Sequence, residues 1–397
     1  MILLILANRV DRRLLELEIA GLPLVRHLIT HAQSVADVET HFLPGTKGLA
    51  AECNDITAKA ESGADVLVLD EDLWLPQRAV DEVLARTAQS QAAVAVGCRI
   101  RALTDRSAGQ EVVAVYLPAA VAAGVLRQAD SGGFEAGVSR LSEVLTASLK
   151  MDVYELEGAE LPLRIRSLRE IAVVEKEILD RRTQNALRNG VRIHDPGSIA
   201  IRGELHCGEG VEIDRNVIME GRVVLGDGVM IGANSLLIDV TIGAQSVVRP
   251  FSLVEGAVIG ARTVIGPYGR VRQGTTIGDE VQIGNFVEIK KSEIGGRSRI
   301  NHLAFVGDAT LGTGVTLGAG TITCNHDGVA VQHTQIDANA YVGSGSQLIA
   351  PVHIGEDAVI GAGSTITKDA PAGRLTVARS RQQTIEGWKR ADTKLSD

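Results

Sequence analysis

The chain has 397 residues, of which 45% are hydrophobic and only 3% aromatic, with a formal net charge of −9. That length exceeds what one hydrophobic core usually holds, so two domains are expected. The acidic balance argues against a nucleic-acid partner; the scattered cysteines Cys53, Cys98, Cys207 and Cys324 show no CxxC pair or metal spacing and read as reduced thiols of a cytoplasmic protein.

The opening MILLILANRVDRR carries an apolar run too short to span a membrane, with basic residues on the wrong side for a signal peptide. It reads instead as a first strand at Ile2–Ala7, with no membrane role. Helical spacing follows over Leu24–Ala36, then a strand at Asp65–Leu69, a helix at Ala79–Arg86, and strands at Ala92–Gly97 and Glu111–Leu117. This alternation predicts an α/β domain over residues 1–164 with a mostly parallel sheet. Gly132-Gly133 interrupts it, and a second α/β piece runs to about Glu157. Residues 165–190 read as a connecting helix: Leu168, Ile171, Val174 and Ile178 recur at three and four, and Asn189-Gly190 makes a C-cap.

From Val191 the pattern changes. Aliphatic–Gly pairs recur from Leu225-Gly226 through Ile242-Gly243, Ile259-Gly260 and Ile277-Gly278 to Ile360-Gly361, six residues apart or near a multiple of six. That period predicts a hexapeptide parallel β-helix over 191–370. Each hexad makes a strand and a turn, three hexads close a coil, and the coils stack as a solenoid. The aliphatic side chain points inward, and the Gly is expected to take a tight corner at positive φ. Asn325–Thr334 breaks the phase, and such an excursion from the ladder is a usual place for function. Residues 371–397 are polar and read as an arm anchored by Trp388.

Arg272 and Lys290 are eighteen residues apart, one full coil, so they are expected to stack one rung apart. One bidentate cation and one point charge make a phosphate site. Glu288 and His302 suit a carboxylate–imidazole pair, which a general base near neutral pH requires. Outward side chains on a β-helix are more often solvated decoration, so spacing alone leaves both readings open.

Longer strings narrow the choice: GNFVEIKK (284–291), GAGTITCN (318–325), APVHIG (350–355) and EGWKR (386–390). Through them the segment from about Gly190 to Arg390 resembles the acetyltransferase half of the bifunctional N-acetylglucosamine-1-phosphate uridylyltransferase/glucosamine-1-phosphate N-acetyltransferase (GlmU) family. The resemblance implies a left-handed β-helix, an exception to right-handed crossovers. It also implies a homotrimer with acetyl-CoA bound between neighbouring subunits. By the same resemblance His302 is the general base, oriented by Glu288, and Arg272 and Lys290 hold the phosphate of an amino-sugar phosphate. Asn325 touches acceptor and acetyl-CoA. Ala319, Ser344, Ala362 and Arg379 contact acetyl-CoA, and no metal takes part. Four positions depart from the family: Phe305 replaces a Tyr, Thr316 an Asn, His326 a Tyr beside the acetyl-CoA site, and Val331 a Lys on the phosphate. The acceptor pocket is therefore expected to be partly rewritten.

Leu3–Ala7 and Ile19–Val25 match, faintly, the family's uridylyltransferase half. Its Gly-rich loop is replaced by Asn8-Arg-Val-Asp-Arg-Arg, which keeps the backbone away from a pyrophosphate. Asp72 falls on a metal-binding position but follows Glu71 instead of Gly, and the second metal ligand falls near Arg166 or Ser167. A degenerate domain without uridylyl transfer is expected. Three alternatives stand beside this reading: full bifunctionality with an unusual nucleotide loop, a non-catalytic scaffold or regulator, and a sugar O-acetyltransferase, since fold alone does not set function.

Overall fold

A computed structural model describes residues 163–388 throughout and, upstream, residues 2–7, 18–19, 22–23, 39–44, 56, 58–70, 73–74, 77–87, 94–99, 110–119, 122 and 152–155. The chain divides into two units, Met1–Arg181 and Arg182–Asp397.

In the first unit the apolar runs become β1 (Ile2–Ala7), β2 (Glu39–Pro44), β3 (Val66–Asp70), β4 (Val94–Arg99), β5 (Gln110–Leu117) and β6 (Asp152–Glu155). They form one six-stranded sheet in the order β2-β1-β3-β5-β4-β6. Pairing is parallel for β1–β2, β1–β3 and β4–β6, while β5 runs antiparallel to both neighbours. Val66, Val68, Val115 and Leu117 are buried, which explains their unbroken apolar runs. Helix α1 spans Gln77–Thr87. The candidate nucleotide loop at 8–13, Glu71, Asp72, Leu24–Ala36 and Gly132-Gly133 lie outside the described residues.

Helix α2 spans Leu168–Arg188. Its Ile171, Val174 and Ile178 pack with Trp74, Leu163 and Ile165 in the first unit, whereas Leu168 is exposed. Past Arg181 the helix belongs to the second unit: Arg182 donates to the Ile201 carbonyl at 2.8 Å, and Ala186 joins the solenoid core. No described helix is long and apolar enough to cross a membrane.

The second unit is a parallel β-solenoid. Successive coils pair in register at steps of seventeen or eighteen residues, as Leu237↔Val254 and Ile259↔Ile277 show. One face is an eleven-stranded ladder, and a seventeen-stranded sheet wraps the other two. Val and Ile fit short strands with one face in a dry core. They stack inward in columns such as Val254, Val271, Ile289 and Val306, each contributing roughly 1.5–3 kcal/mol by burial. The excursion lengthens one step, so that Leu311 pairs with Ile336.

Apart from Gly266, at φ 90°, the glycines of the aliphatic–Gly pairs do not take the left-handed corners. Positive φ falls two residues later, at Gln245, Arg262 and Glu280 after Gly243, Gly260 and Gly278. The glycines are required for a different reason. A Cβ on Gly243 would sit 2.7 Å from the amide nitrogen of Ala261, and one on Gly312 would sit 2.6 Å from that of Ala338. Both clash with the backbone of the next coil. The arm adds one strand, Leu375–Thr376, to the solenoid, and Trp388 is 70% exposed, so among the described residues of this chain it is not a buried anchor.

Candidate functional site

One corner of the prism gathers most of the candidate site residues. Six coils put a side chain there at positive φ: Asn216, Asn234, Phe251, Tyr268, Phe286 and Leu303. Phe251, Tyr268 and Phe286 stack with ring centroids 5.1 and 5.0 Å apart. The next three coils place Gly320, Gly345 and Gly363 at the same turn. Backbone bonds tie the column together: Gly320 N–H donates to the His302 carbonyl, Gly345 to Ala319 and Gly363 to Ser344.

His302 therefore ends its strand at this corner, and Ala319, Ser344 and Ala362 descend from it one coil at a time. Arg379 closes the column by donating to the Ala362 carbonyl at 2.7 Å. Directly above His302, in register, stands Asn285. Its Oδ1 lies 2.7 Å from His302 Nδ1. With Oδ1 as the acceptor, this contact suits the tautomer that carries its proton on Nδ1 and leaves Nε2 the lone pair that a base uses.

Glu288 does not pair with His302. Its Oε1 accepts from Arg272 at 2.8 Å, and Arg270 lies 3.7 Å from Oε2. The reason is the register: Arg270 stacks directly over Glu288 on the face after the corner, while His302 ends the face before it. The expected carboxylate–imidazole pair is thus replaced by two separate contacts, His302–Asn285 and Glu288–Arg272.

Across the corner, Val271 pairs with Ile289, which puts Arg272 over Lys290 with both side chains outward. Phe305 follows Glu288 in its ladder. Its ring lies across Gly307: a Cβ there would sit 2.7 Å from Phe305 Cζ and 2.9 Å from Asn325 Nδ2. Asn325 donates to Asp308 Oδ2 at 2.6 Å, at the far edge of this face. Thr316 lies on the other side of the corner, below Arg299. One chain thus holds Asn325 and His326 a face-width away from the column of Ala319, Ser344 and Ala362.

The excursion folds back on itself. His326 bridges Val331, Asp327 Oδ1 caps the amides of Val329 and Ala330, and Gln332 donates to Asp327 Oδ2 at 3.0 Å. These bonds, led by that from Ala330, hold the Asp327 carboxyl down at about 2. His326 is used locally, its Nδ1 accepting from Gly328 N at 3.0 Å. Val331 is exposed in this loop. Cys324, half-buried beside Asn325, has its thiol raised by burial. Among the described residues no group of three His, Cys, Asp or Glu side chains is placed to hold a metal ion.

Asn285 and Asp308 were given no role by the sequence. Asn285 lies in GNFVEIKK, and counting one coil of seventeen residues back from His302 would have found it. The same count of seventeen back from Asn325 reaches Asp308.

Residues 201–301 match the family described as GMPPB C-terminal domain, and residues 333–368 match the bacterial transferase hexapeptide (six repeats). With that match, the solenoid is the left-handed β-helix of hexapeptide repeats. The bifunctional protein GlmU of Herminiimonas arsenicoxydans is 50% identical over 204 residues, 51% of this chain and 45% of the relative. That of Ralstonia nicotianae is 50% identical over 228 residues, covering 57% and 50%, and that of Cupriavidus pinatubonensis 47% identical over 242 residues, covering 60% and 53%. Over its C-terminal half the chain is a homologue of these proteins, and it spans about half their length. Among solved structures, a Francisella novicida UDP-N-acetylglucosamine acyltransferase covers 45% of this chain and 66% of its own at 19% identity and TM-score 0.26. A 2-C-methyl-D-erythritol 4-phosphate cytidylyltransferase from Thermus thermophilus covers 44% and 97% at 17% identity and TM-score 0.32.

Proposed function

We propose that the chain is an acetyl-CoA-dependent N-acetyltransferase acting on an amino-sugar phosphate, of the kind that serves UDP-N-acetylglucosamine synthesis. The observation that carries this is the His302–Asn285 contact, which frees Nε2 at the head of a column built from the residues that resemble acetyl-CoA contacts. In the reaction, His302 Nε2 takes a proton from the substrate ammonium. The free amine attacks the thioester carbonyl, the tetrahedral intermediate collapses as the C–S bond breaks, the second proton of the nitrogen passes to the departing CoA sulfur, and the proton held by His302 is released to solvent.

Arg272 and Lys290 hold the sugar phosphate. The Arg272–Glu288 pair is about a third exposed, and such pairs contribute roughly 0–1 kcal/mol. A phosphate offering charge-assisted bonds of about 1.5–3 kcal/mol each replaces it readily. Phe305 and Val331, where the resembling family has a hydroxyl and a cation, leave a weaker grip on the acceptor. Asn325 and His326 reach acceptor and donor together only if a neighbouring subunit closes the gap, which favours a homotrimer. The first unit is a nucleotidyltransferase-like domain whose uridylyl transfer has been lost.

Thiol release from acetyl-CoA with glucosamine 1-phosphate and related amino sugars tests the reading. Turnover that disappears in His302→Ala supports it. No turnover on any amino sugar, or full turnover by His302→Ala, sinks it. Magnesium-dependent pyrophosphate release from UTP would restore the bifunctional alternative.

A further inference from the structure

The excursion at Asn325–Thr334 leaves and rejoins the solenoid at one corner, and Asp308 holds both ends of it. Asp308 stands at that corner one coil above, between the strands Phe305–Gly307 and Ala309–Leu311, at φ 50°. Its carbonyl accepts from Thr334 N at 3.2 Å, where the chain returns to its ladder. Its carboxylate accepts from Asn325 Nδ2 at 2.6 Å, where the chain departs. The foot of the excursion is already closed by backbone, since the Asn325 carbonyl takes Gln332 N at 2.6 Å. The side-chain contact therefore adds no closure; it fixes an amide.

Register brings the two groups together. Phe305 pairs with Ile322, so Asp308 and Asn325, three residues further along each strand, meet at the same corner. Lys291 holds that corner in the coil above, at φ 45°, yet the Asp308 carboxylate turns down to a neutral amide. A carboxylate has only acceptors to offer, so the amide must face it with Nδ2. An amide that could otherwise turn over is thereby set one way. Oδ1 faces away from Asp308, and among the described residues no donor meets it. Gly307 leaves room for this arrangement: a Cβ there would sit 2.9 Å from Asn325 Nδ2 and 2.8 Å from Phe305 Cε1.

We infer that Asp308 is a positioning residue of the acceptor site, and that it acts through Asn325. Held by its nitrogen, the Asn325 amide presents a fixed oxygen. That oxygen receives an N–H or O–H of the acceptor sugar and turns away a phosphate or carboxylate oxygen, which Arg272 and Lys290 attract instead. This rests on the acyltransferase reading above, in which Asn325 touches the acceptor. Without Asp308 the amide turns over, and its NH2 group meets the substrate ammonium donor against donor.

The test is Asp308→Gly in the full-length protein, assayed with glucosamine 1-phosphate and acetyl-CoA. Glycine suits this corner, since Gly256 holds it at φ 53° in a coil above. The Thr334 bond is to the backbone carbonyl, so hydrogen exchange at Thr334 and Gln332 should match the parent's. The kcat/KM for the sugar should fall about fivefold or more, the effect of leaving one contacting side chain unfixed. Asp308→Asn keeps an oxygen toward Asn325 and should recover most of the loss. The decisive comparison is Asn325→Ala with and without Asp308→Gly. A residue that acts through Asn325 adds less than about twofold once that amide is gone. Multiplied losses in the double variant, or parental kcat/KM in Asp308→Gly, overturn the inference while the activity stands. Asp308→Ala supplies the same comparison where Asp308→Gly does not fold. No turnover by the parent on any amino sugar sinks the acyltransferase reading itself, and this inference with it.

Discussion

Replacing Asn285 by Leu removes the acceptor from His302 Nδ1 while keeping the volume of the side chain. In the resting enzyme the lost contact is a neutral hydrogen bond of roughly 0.5–1.5 kcal/mol, but when Nε2 takes the substrate proton the ring is cationic and the bond strengthens to roughly 1.5–3 kcal/mol. The difference, about 1–1.5 kcal/mol, is felt only on the way to the transition state and lowers kcat about 5- to 13-fold. Loss of ring orientation adds to this, up to the roughly 10²–10⁴-fold that a general base supplies in all. Steady-state kinetics with glucosamine 1-phosphate and acetyl-CoA should thus show Asn285→Leu losing kcat at least fivefold, with KM for acetyl-CoA unchanged. Asn285→Asp keeps an oxygen toward Nδ1 and should recover most of the loss. Parental kcat in Asn285→Leu, or equal damage in Asn285→Asp, would refute the positioning role. Glu288→Gln supplies the contrast: it frees Arg272 and should act on the KM for the sugar phosphate more than on kcat.

The Asp327 carboxyl is held at about 2 in the folded loop against 3.8 for the free group, by amides that bond only its charged form. The hairpin lock should therefore be complete above about pH 4 and fade as pH falls toward 2; hydrogen exchange at Val329 and Ala330 would follow it, and Asp327→Asn should abolish the dependence. Burial pushes the Cys207 thiol up to about 11, so iodoacetamide at pH 8 should leave Cys207 unlabelled until the protein is denatured, as read by peptide mass spectrometry. Gly312→Ala forces a methyl against the next coil and should cost about 1–3 kcal/mol in denaturant unfolding, the usual range for overpacking. Phe305→Tyr should lower KM for glucosamine 1-phosphate severalfold, the equivalent of one neutral hydrogen bond of roughly 0.5–1.5 kcal/mol, without changing KM for acetyl-CoA.

The six-residue period was enough to determine the solenoid, because a solenoid contact links only residues one coil apart. Periodicity along the chain is then periodicity in space, and Arg272 over Lys290 followed from counting. The same count placed the glycines and misread their cause. Whether a Cβ fits depends on the backbone of the next coil, not on the turn the glycine itself makes. Only the tertiary structure decided which partner each site residue takes. Glu288 and His302 are fourteen residues apart, less than one coil, so a corner separates them and each turns to its own neighbour in the ladder.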